Sequence, residues 1–301
     1  MEKYIVSPGL QYALDGAIAL GQPLLLTGEP GTGKTTFAKD FALPYLNQKY
    51  GGNFHTEVLK FNTKTSSNAR DLFYTYDSLS HFQSVNLRGG QARETAEFIE
   101  LQALGKAIVM SNPQTSYAEK CRFLAPSKPL DTVVLIDEVD KAPRDFTNDI
   151  LDEIEHLRFQ IREQDNFSIE KGPDSRIVLI MTSNSEKNLP DAFLRRCIFY
   201  HIEFPKKDEK LLRDIVKMHL GSVITDKTVE AYDELFNFFY NARDKAVRKK
   251  PATAELIAWL KLLGLNEYFD KNKAEQEQML LHNLSFLVKT QEDLEAVKKL
   301  I

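Results

Sequence analysis

The 301-residue sequence has only two cysteines, Cys121 and Cys197, which stand far apart and without the spacing of metal ligands. Neither a disulfide framework nor a cysteine-based zinc site is therefore indicated, and a reducing compartment is expected. The sequence also lacks a run of about 18 apolar residues, and its first residues lack the basic and apolar segments of a signal peptide. We expect a cytoplasmic protein that does not enter a membrane.

An excess of positive charge is missing as well, because the formal net charge is -4. Domains that bind nucleic acid usually carry a strongly basic surface, so DNA or RNA is not the expected partner. Otherwise the composition is ordinary, with 43% hydrophobic and 27% charged residues. This length and composition predict a large globular domain and a smaller companion.

Five short apolar runs are separated by segments long enough for helices. The third and fourth runs show no alternation of apolar and polar residues, which is typical of parallel strands covered by helices on both faces. We predict an α/β fold with a parallel five-stranded sheet flanked by helices, with strands at residues 23–27, 58–61, 132–136, 177–182 and 199–204.

Between the third and fourth strands, apolar residues recur at helical spacing over residues 144–158. The pattern then changes to alternation, with apolar residues at Phe159, Ile161, Phe167 and Ile169 on either side of a polar turn. We therefore predict an amphipathic helix followed by a β-hairpin that is inserted before the fourth strand.

The strand signal ends at Pro205, and the apolar residues after it recur at helical intervals. Proline ends a strand, and charged residues follow it immediately. We predict an α/β domain over residues 1–205 and a small all-α domain over residues 206–301.

A glycine-rich segment follows the first predicted strand and matches the G-x-x-x-x-G-K-[ST] phosphate loop. Glycines let backbone N–H groups surround phosphates, and the N-terminus of the next helix adds partial positive charge. We expect Lys34 to reach the β- and γ-phosphates and the Thr35 hydroxyl to bind Mg²⁺. The alternative, a glycine turn with a solvated lysine, is disfavoured by the strand before it and the helix after it. We predict an ATP site formed by Gly28, Glu29, Pro30, Gly31, Thr32, Gly33, Lys34, Thr35 and Thr36.

Two carboxylates, Asp137 and Glu138, end the third predicted strand. The carboxyl ends of parallel strands form the ligand-binding edge of such a sheet. We expect Asp137 to hold Mg²⁺ together with Thr35, and Glu138 to polarise the water that attacks the γ-phosphate. The alternative is a strand that meets an acidic helix cap.

Polar residues also follow the fourth strand and precede the fifth. Asn184 is placed to contact the γ-phosphate or orient the attacking water, although asparagine is also common in turns. Arg195 and Arg196 stand before the last strand. They are either solvated charges, or one of them enters the site of a neighbouring subunit as an arginine finger.

The ordered segments GEPGTGKT, VVLIDEVDKAP, TSN and LPDAFLRRC, followed by a helical region, resemble the AAA+ superfamily of P-loop NTPases. More narrowly, they resemble the MoxR family of the dynein-related subfamily, over nearly the whole chain. The resemblance implies a ring ATPase, commonly a hexamer, in which nucleotide binds between subunits under a helical lid. It also implies a catalytic base at Glu138, a sensor 1 residue at Asn184 and a trans-acting finger at Arg195 or Arg196.

The same resemblance implies a pre-sensor 1 insertion at the hairpin of residues 159–169 and a helix 2 insertion within residues 73–93. Residues 251–254 stand where a sensor 2 arginine is often found, so Arg248, Lys249 or Lys250 takes that role or the contact is missing. Without the resemblance, the basic stretch at residues 245–250 is interpreted as a charged helix end or as a segment that faces nucleotide. Proteins of this family are often paired with von Willebrand factor A domain partners.

Four functions compete. The leading hypothesis is a chaperone-like ATPase that remodels protein partners, and the second is a switch that assembles on ATP and hydrolyses it slowly. A nucleic-acid motor of a defence or restriction system is disfavoured by the negative net charge of the chain. A small-molecule kinase is disfavoured by the two carboxylates, the distal asparagine and the separate helical domain.

Overall fold

The computed structural model describes residues 4–86, 93–185, 189–207, 210–221 and 229–301. The chain divides into two compact units, one formed by Met1–Gly28 and Gly33–Ile202 and the other by Glu29–Thr32 and Glu203–Ile301.

The first unit contains strands and helices in alternation. Its strands are β1 (Leu24–Gly28), β2 (Leu59–Asn62), β3 (Tyr74–Tyr76), β4 (Ile99–Leu101), β5 (Thr132–Asp137), β6 (Arg158–Ile161), β7 (Phe167–Glu170), β8 (Ile177–Ser183) and β9 (Ile198–Ile202). Its helices are α1 (Pro8–Leu20), α2 (Lys34–Phe37), α3 (Leu43–Lys49), α4 (Ser78–Asn86), α5 (Ala103–Ser111), α6 (Thr115–Cys121), α7 (Arg144–Asp149), α8 (Leu151–His156) and α9 (Asp191–Leu194).

The central sheet has five parallel strands in the order β2-β5-β8-β1-β9. All five strands predicted from the apolar runs are present, so the predicted α/β sheet is confirmed. Parallel pairing brings the carboxyl ends of β1, β5 and β8 to one edge. Leu26 of β1 lies opposite Thr182 of β8, and Ile136 of β5 lies opposite Met181. The phosphate-loop motif, the two carboxylates and the TSN segment therefore start from neighbouring strands.

Each face of this sheet is buried by helices. Side chains alternate between the faces along a strand, and both sets are apolar here, which explains why the sequence shows no alternation. One face packs against α1, α2 and α3, using Leu24, Leu26, Val133, Leu135, Val178 and Ile180. The other packs against α5, α7 and the β6–β7 hairpin, using Leu25, Val134, Ile136, Leu179 and Met181. Each fully buried side chain of this size contributes roughly 1.5–3 kcal/mol.

The hairpin predicted before the fourth main strand is confirmed. Strands β6 and β7 pair antiparallel, with Phe159 opposite Ile169 and Ile161 opposite Phe167. The helix predicted over residues 144–158 is wrong in one respect, because it is divided into α7 and α8. At the junction, the backbone of Ile150 has ψ near -1°, which departs from the α-helical value of about -42°.

The described part of residues 73–93 contains β3 and α4, and β3 pairs antiparallel with β4. Residues 87–92 lie outside the described residues. The role of this segment as a helix 2 insertion stays a prediction.

The second unit is helical in its described residues, as predicted for the C-terminal region. Its helices are α10 (Leu211–Leu220), α11 (Val229–Lys245), α12 (Thr253–Leu265), α13 (Lys273–Leu287) and α14 (Gln291–Lys298). They surround Trp259, the largest fully buried side chain, and Phe239. Apolar residues at helical spacing on each helix form this core.

Both cysteines are free thiols, in agreement with the predicted lack of disulfides. Burial raises the pKa of Cys121 and of Cys197 to about 12, so both remain protonated at neutral pH. In the part of the chain that the structure describes, no helix has the length and apolar character needed to cross a membrane.

Candidate functional site

The phosphate-loop motif forms a tight turn between β1 and α2. Gly31 and Gly33 have φ of 80° and 87°, which are left-handed values that glycine adopts at little cost. The Nζ atom of Lys34 donates to the carbonyl of Gly28 at 2.8 Å, and this lysine is only 7% exposed. The Thr32 hydroxyl donates to the carbonyl of Glu29 at 2.9 Å. These hydrogen bonds stabilise the turn.

Thr35 and Thr36 lie in α2, the helix that follows the loop. The Thr36 hydroxyl donates back to the carbonyl of Gly33 at 2.9 Å. The Thr35 hydroxyl instead leaves the loop and donates to Oδ1 of Asp137 at 2.8 Å. The structure therefore brings together the two residues that the sequence predicts as metal ligands.

Asp137 is the centre of a compact polar cluster at the edge of the sheet. Its Oδ1 atom also accepts from the Thr182 hydroxyl at 2.6 Å, and its Oδ2 atom lies 2.8 Å from Nζ of Lys60. Burial alone raises the pKa of this carboxyl group, but the contacts with Lys60, Thr182 and Thr35 hold the pKa below its usual value. Asp137 is therefore a charged acceptor at neutral pH.

The donor set around Asp137 fits Mg²⁺. This ion prefers oxygen ligands, binds through one or two carboxylates together with phosphates, and keeps several waters. Thr35 supplies a hydroxyl and Asp137 a carboxylate, with their oxygens 2.8 Å apart at the start of a helix. These two residues could hold the ion beside phosphates bound in the loop.

Glu138 leaves the sheet through a left-handed backbone conformation, with φ of 59°. Such a conformation costs about 1–2 kcal/mol for a residue other than glycine. The Glu138 N–H group donates to the Thr182 hydroxyl at 2.9 Å. The turn separates the two neighbouring carboxylates, so that Glu138 extends beyond the strand while Asp137 stays buried within it.

The Glu138 carboxylate has two partners. Nδ2 of Asn184 donates to its Oε1 atom at 3.4 Å, and the ammonium group of Lys141 forms an ion pair with its Oε2 atom. The contact with Glu138 raises the pKa of Lys141. The backbone of Asn184 is held in turn, because its N–H group donates to Asp140 at 3.2 Å. Glu138 and Asn184 are thus direct neighbours, as the catalytic roles predicted for them require.

The two arginines differ in their surroundings. Arg196 pairs with Glu155, with 3.3 Å between Nε and Oε2, and donates to the carbonyl of Ala192 at 3.1 Å. Arg195 follows α9 directly and is exposed. Within the described ranges, its guanidinium makes no hydrogen bond or ion pair, and neither arginine bonds to Asp137 or Glu138.

The basic stretch before α12 is held by α14. The N–H groups of Val247, Arg248 and Lys249 donate to the Asp293 carboxylate at 2.7–3.0 Å, and the Arg248 guanidinium pairs with Glu292 at 2.8 Å. The sensor 2 role considered for this stretch stays a prediction, and Arg248 is engaged within its own unit.

Three residues of the site were not predicted from the sequence. Lys60 is an isolated charge inside an apolar run, and Lys141 stands three residues after Glu138, at helical spacing. Thr182 belongs to the TSN segment, in which only Asn184 was predicted as a site residue. The sequence did contain a signal for Lys60. A lysine inside an apolar strand needs a partner for its charge, which indicates a carboxylate nearby in the fold.

A comparison with protein families finds a model that matches this chain. It describes the AAA domain of the dynein-related subfamily and matches residues 23–197. That range contains the phosphate loop, Asp137, Glu138, Asn184 and both arginines. No curated protein matches the chain.

Proposed function

Because this chain belongs to the AAA domain family of the dynein-related subfamily and is thereby a nucleotide-binding AAA+ ATPase, we propose that it hydrolyses ATP with Mg²⁺ as one subunit of a ring. The ring, a hexamer of the MoxR kind, acts on protein partners as a chaperone-like remodelling machine. One observation carries the proposal: at a single sheet edge, the Asn184 amide contacts the Glu138 carboxylate at 3.4 Å beside the Thr35–Asp137 pair.

Within the site, each residue has a role that its contacts support. Lys34 and the loop glycines bind the phosphates, and Thr35 and Asp137 hold Mg²⁺, which neutralises charge on the phosphate oxygens when bound. Glu138 accepts a proton from the attacking water. The water oxygen bonds to the γ-phosphorus, and the bond from phosphorus to the β–γ bridging oxygen breaks. Asn184 orients the water or the γ-phosphate.

Arg195 is the proposed finger that acts on a neighbouring subunit. An arginine finger must extend away from its own chain to reach another site, and Arg195 has no side-chain partner among the described residues, whereas Arg196 pairs with Glu155. The proposal therefore assigns the charge-stabilising role to Arg195 and a local role to Arg196. We also propose functional domains over residues 1–205 and 206–301, with the second as the lid.

The catalytic proposal is tested with Glu138→Gln. This variant keeps the shape of the side chain but cannot accept the proton, so we expect ATP turnover to fall at least about 100-fold while ATP stays bound. Glu295→Gln is a matched control, because Glu295 also pairs with a lysine three residues along a helix, Lys298. Turnover by Glu138→Gln within a few-fold of the wild type would reject the role of Glu138.

The ring proposal is tested by mixing two inactive variants. In a mixed ring, some sites combine the intact Glu138 of an Arg195→Ala subunit with the intact Arg195 of a Glu138→Gln subunit. We expect each variant alone to be inactive and the mixture to recover part of the turnover. Arg196→Ala is the control and should retain most activity. If mixing restores nothing, Arg195 does not act in trans.

The partner class is tested with the ATP-bound Glu138→Gln ring as bait. Proteins that associate only in ATP, including any with a von Willebrand factor A domain, are expected to co-purify. Capture of nucleic acid in a salt-sensitive manner, with no protein, would favour the motor hypothesis instead.

A further inference from the structure

Lys60 supplies a positive charge to the carboxylate that the proposed function assigns to Mg²⁺. It lies on β2, the strand next to β5, and its Nζ atom is 2.8 Å from Oδ2 of Asp137. The side chain of Lys60 is 39% exposed, whereas that of Asp137 is 11% exposed. The pair therefore joins a nearly buried carboxylate to an ammonium group that also reaches solvent.

The strand register explains how this contact forms. Lys60 lies opposite Leu135, and Asn62 lies opposite Asp137. The long lysine side chain therefore runs along the sheet by about two residues toward the edge that carries the site. A shorter side chain at this position could not reach the carboxylate.

Both oxygens of Asp137 are occupied in this arrangement. Oδ1 accepts from the hydroxyls of Thr35 and Thr182, and Oδ2 faces Lys60. A divalent ion that binds Asp137 needs the same negative charge that Lys60 now balances. Because its ammonium group borders solvent, Lys60 can leave the carboxylate without being buried unpaired.

We infer that Lys60 is a built-in counter-cation that competes with Mg²⁺ for Asp137. Lys60 thereby limits how much bound Mg²⁺ increases the affinity for nucleotide, and how much bound nucleotide increases the affinity for Mg²⁺. The inference rests on the proposed ATP and Mg²⁺ site. Lys60 is a positioning residue: its ion pair holds the Asp137 carboxylate in place before the metal arrives, and its charge opposes the metal afterwards.

The size of the effect follows from electrostatics. A unit charge a few ångströms from a divalent ion near a protein surface repels that ion, and the repulsion is strongest before the structure relaxes. Movement of the lysine into solvent removes most of that repulsion. We therefore expect a change of about tenfold in metal–nucleotide coupling when the charge is removed.

The test measures coupling rather than activity. A fluorescent, non-hydrolysable ATP analogue is titrated into each protein with excess Mg²⁺ and, separately, with EDTA, and the ratio of the two Kd values is compared. We expect Lys60→Met to raise the ratio of Kd in EDTA to Kd in Mg²⁺ about tenfold. Lys60→Arg, which keeps the charge, should stay within about twofold of the wild type.

Lys49→Met is the matched control. Lys49 pairs with Asp15 at 2.7 Å and is 37% exposed, so the substitution removes a lysine of similar exposure that also pairs with an aspartate elsewhere in the unit. We expect no change in its ratio. General structural damage weakens binding in both conditions and leaves the ratio unchanged, so the ratio isolates the charge effect.

An unchanged or lower ratio in Lys60→Met would overturn the inference while leaving the proposed function intact. Failure of the wild-type protein to bind the analogue in either condition would reject the proposed function itself.

If Lys60→Met does not fold, the wild-type protein provides a second measurement. Amine acetylation followed by mass spectrometry should show Lys60 becoming several-fold more reactive with Mg²⁺ and the analogue, relative to Lys49. Equal or lower reactivity of Lys60 would contradict its displacement.

Discussion

Two buried aspartates, one in each unit, are held in different ways. Asp137 is 8% exposed and Asp293 is 1% exposed. The partners of Asp137 are side chains, namely the hydroxyls of Thr35 and Thr182 and the ammonium of Lys60. Those of Asp293 are three backbone N–H groups and the Thr290 hydroxyl.

The kind of hydrogen-bond donor distinguishes a carboxylate that can bind a ligand from a carboxylate that stabilises the fold. A hydroxyl can rotate and offer a lone pair to a cation, and a lysine can move into solvent, so Asp137 can exchange its partners for a ligand. Backbone N–H groups cannot leave Asp293 unless the loop unfolds. Both carboxylates stay charged, but only the partners of Asp137 can be replaced without changing the fold.

Loss of the charge on Asp137 should give the largest effect. Asp137→Asn keeps the shape and most hydrogen-bonding capacity but loses the charge that binds the metal, so we expect ATP turnover to fall at least about 100-fold, or about 2.7 kcal/mol. Thermal unfolding should shift by only a few degrees. Turnover within tenfold of the wild type would show that Asp137 is not essential at the metal site.

Loss of Asp293 should instead reduce stability. Asp293→Ala leaves three N–H groups and one hydroxyl without their acceptor, and we expect the free energy of unfolding to fall by about 2–4 kcal/mol in urea titrations. The control is Asp270→Ala, a change of the same type at another aspartate of the second unit. A variant as stable as the wild type would reject the structural role.

One threonine beside each aspartate allows the same comparison, with smaller expected effects. Thr182 donates to Asp137 at 2.6 Å and Thr290 donates to Asp293 at 2.7 Å. We expect Thr182→Val to lower turnover about tenfold, because the Asp137 carboxylate and the Glu138 N–H group each lose a hydrogen-bond partner, and to cost about 1 kcal/mol of stability. Thr290→Val should cost about 1 kcal/mol of stability, as expected for loss of a helix N-cap. The opposite pattern would contradict the distinction between the two sites.

The last expected effect is a dependence of stability on pH. Burial alone raises the pKa of Asp293, but hydrogen bonds from Arg248, Thr290, Lys249 and Val247 lower it to about 2. Because the folded pKa lies below the unfolded value near 3.9, the stabilisation is complete above that value and is lost as pH falls toward 2.

Urea unfolding of the wild type and Asp293→Asn measures this effect. The stability difference between them should be constant from pH 7 to about pH 5 and should narrow below about pH 4. A difference that stays constant down to about pH 3 would show that the charge of Asp293 does not contribute.

Sequence patterns predicted the sheet well because buried parallel strands require continuous apolar runs, and each run became a strand of the central sheet. The α7–α8 division was not predicted, because the helical spacing of apolar residues continues through Ile150 although the regular helical backbone is interrupted there. Lys60 was missed for a related reason. Its partner lies on another strand and is distant in sequence.

The identity and order of the chemical groups follow from the sequence alone: a phosphate loop, two carboxylates and an asparagine after predicted strands, and two arginines before the last strand. Local rules suffice there, because strand edges and helix starts are set by neighbouring residues. Which partner each charge receives depends on the folded structure, in which Lys60 pairs with Asp137 and Glu155 pairs with Arg196. Those contacts depend on strand order and side-chain reach, which residues far apart in the chain fix together.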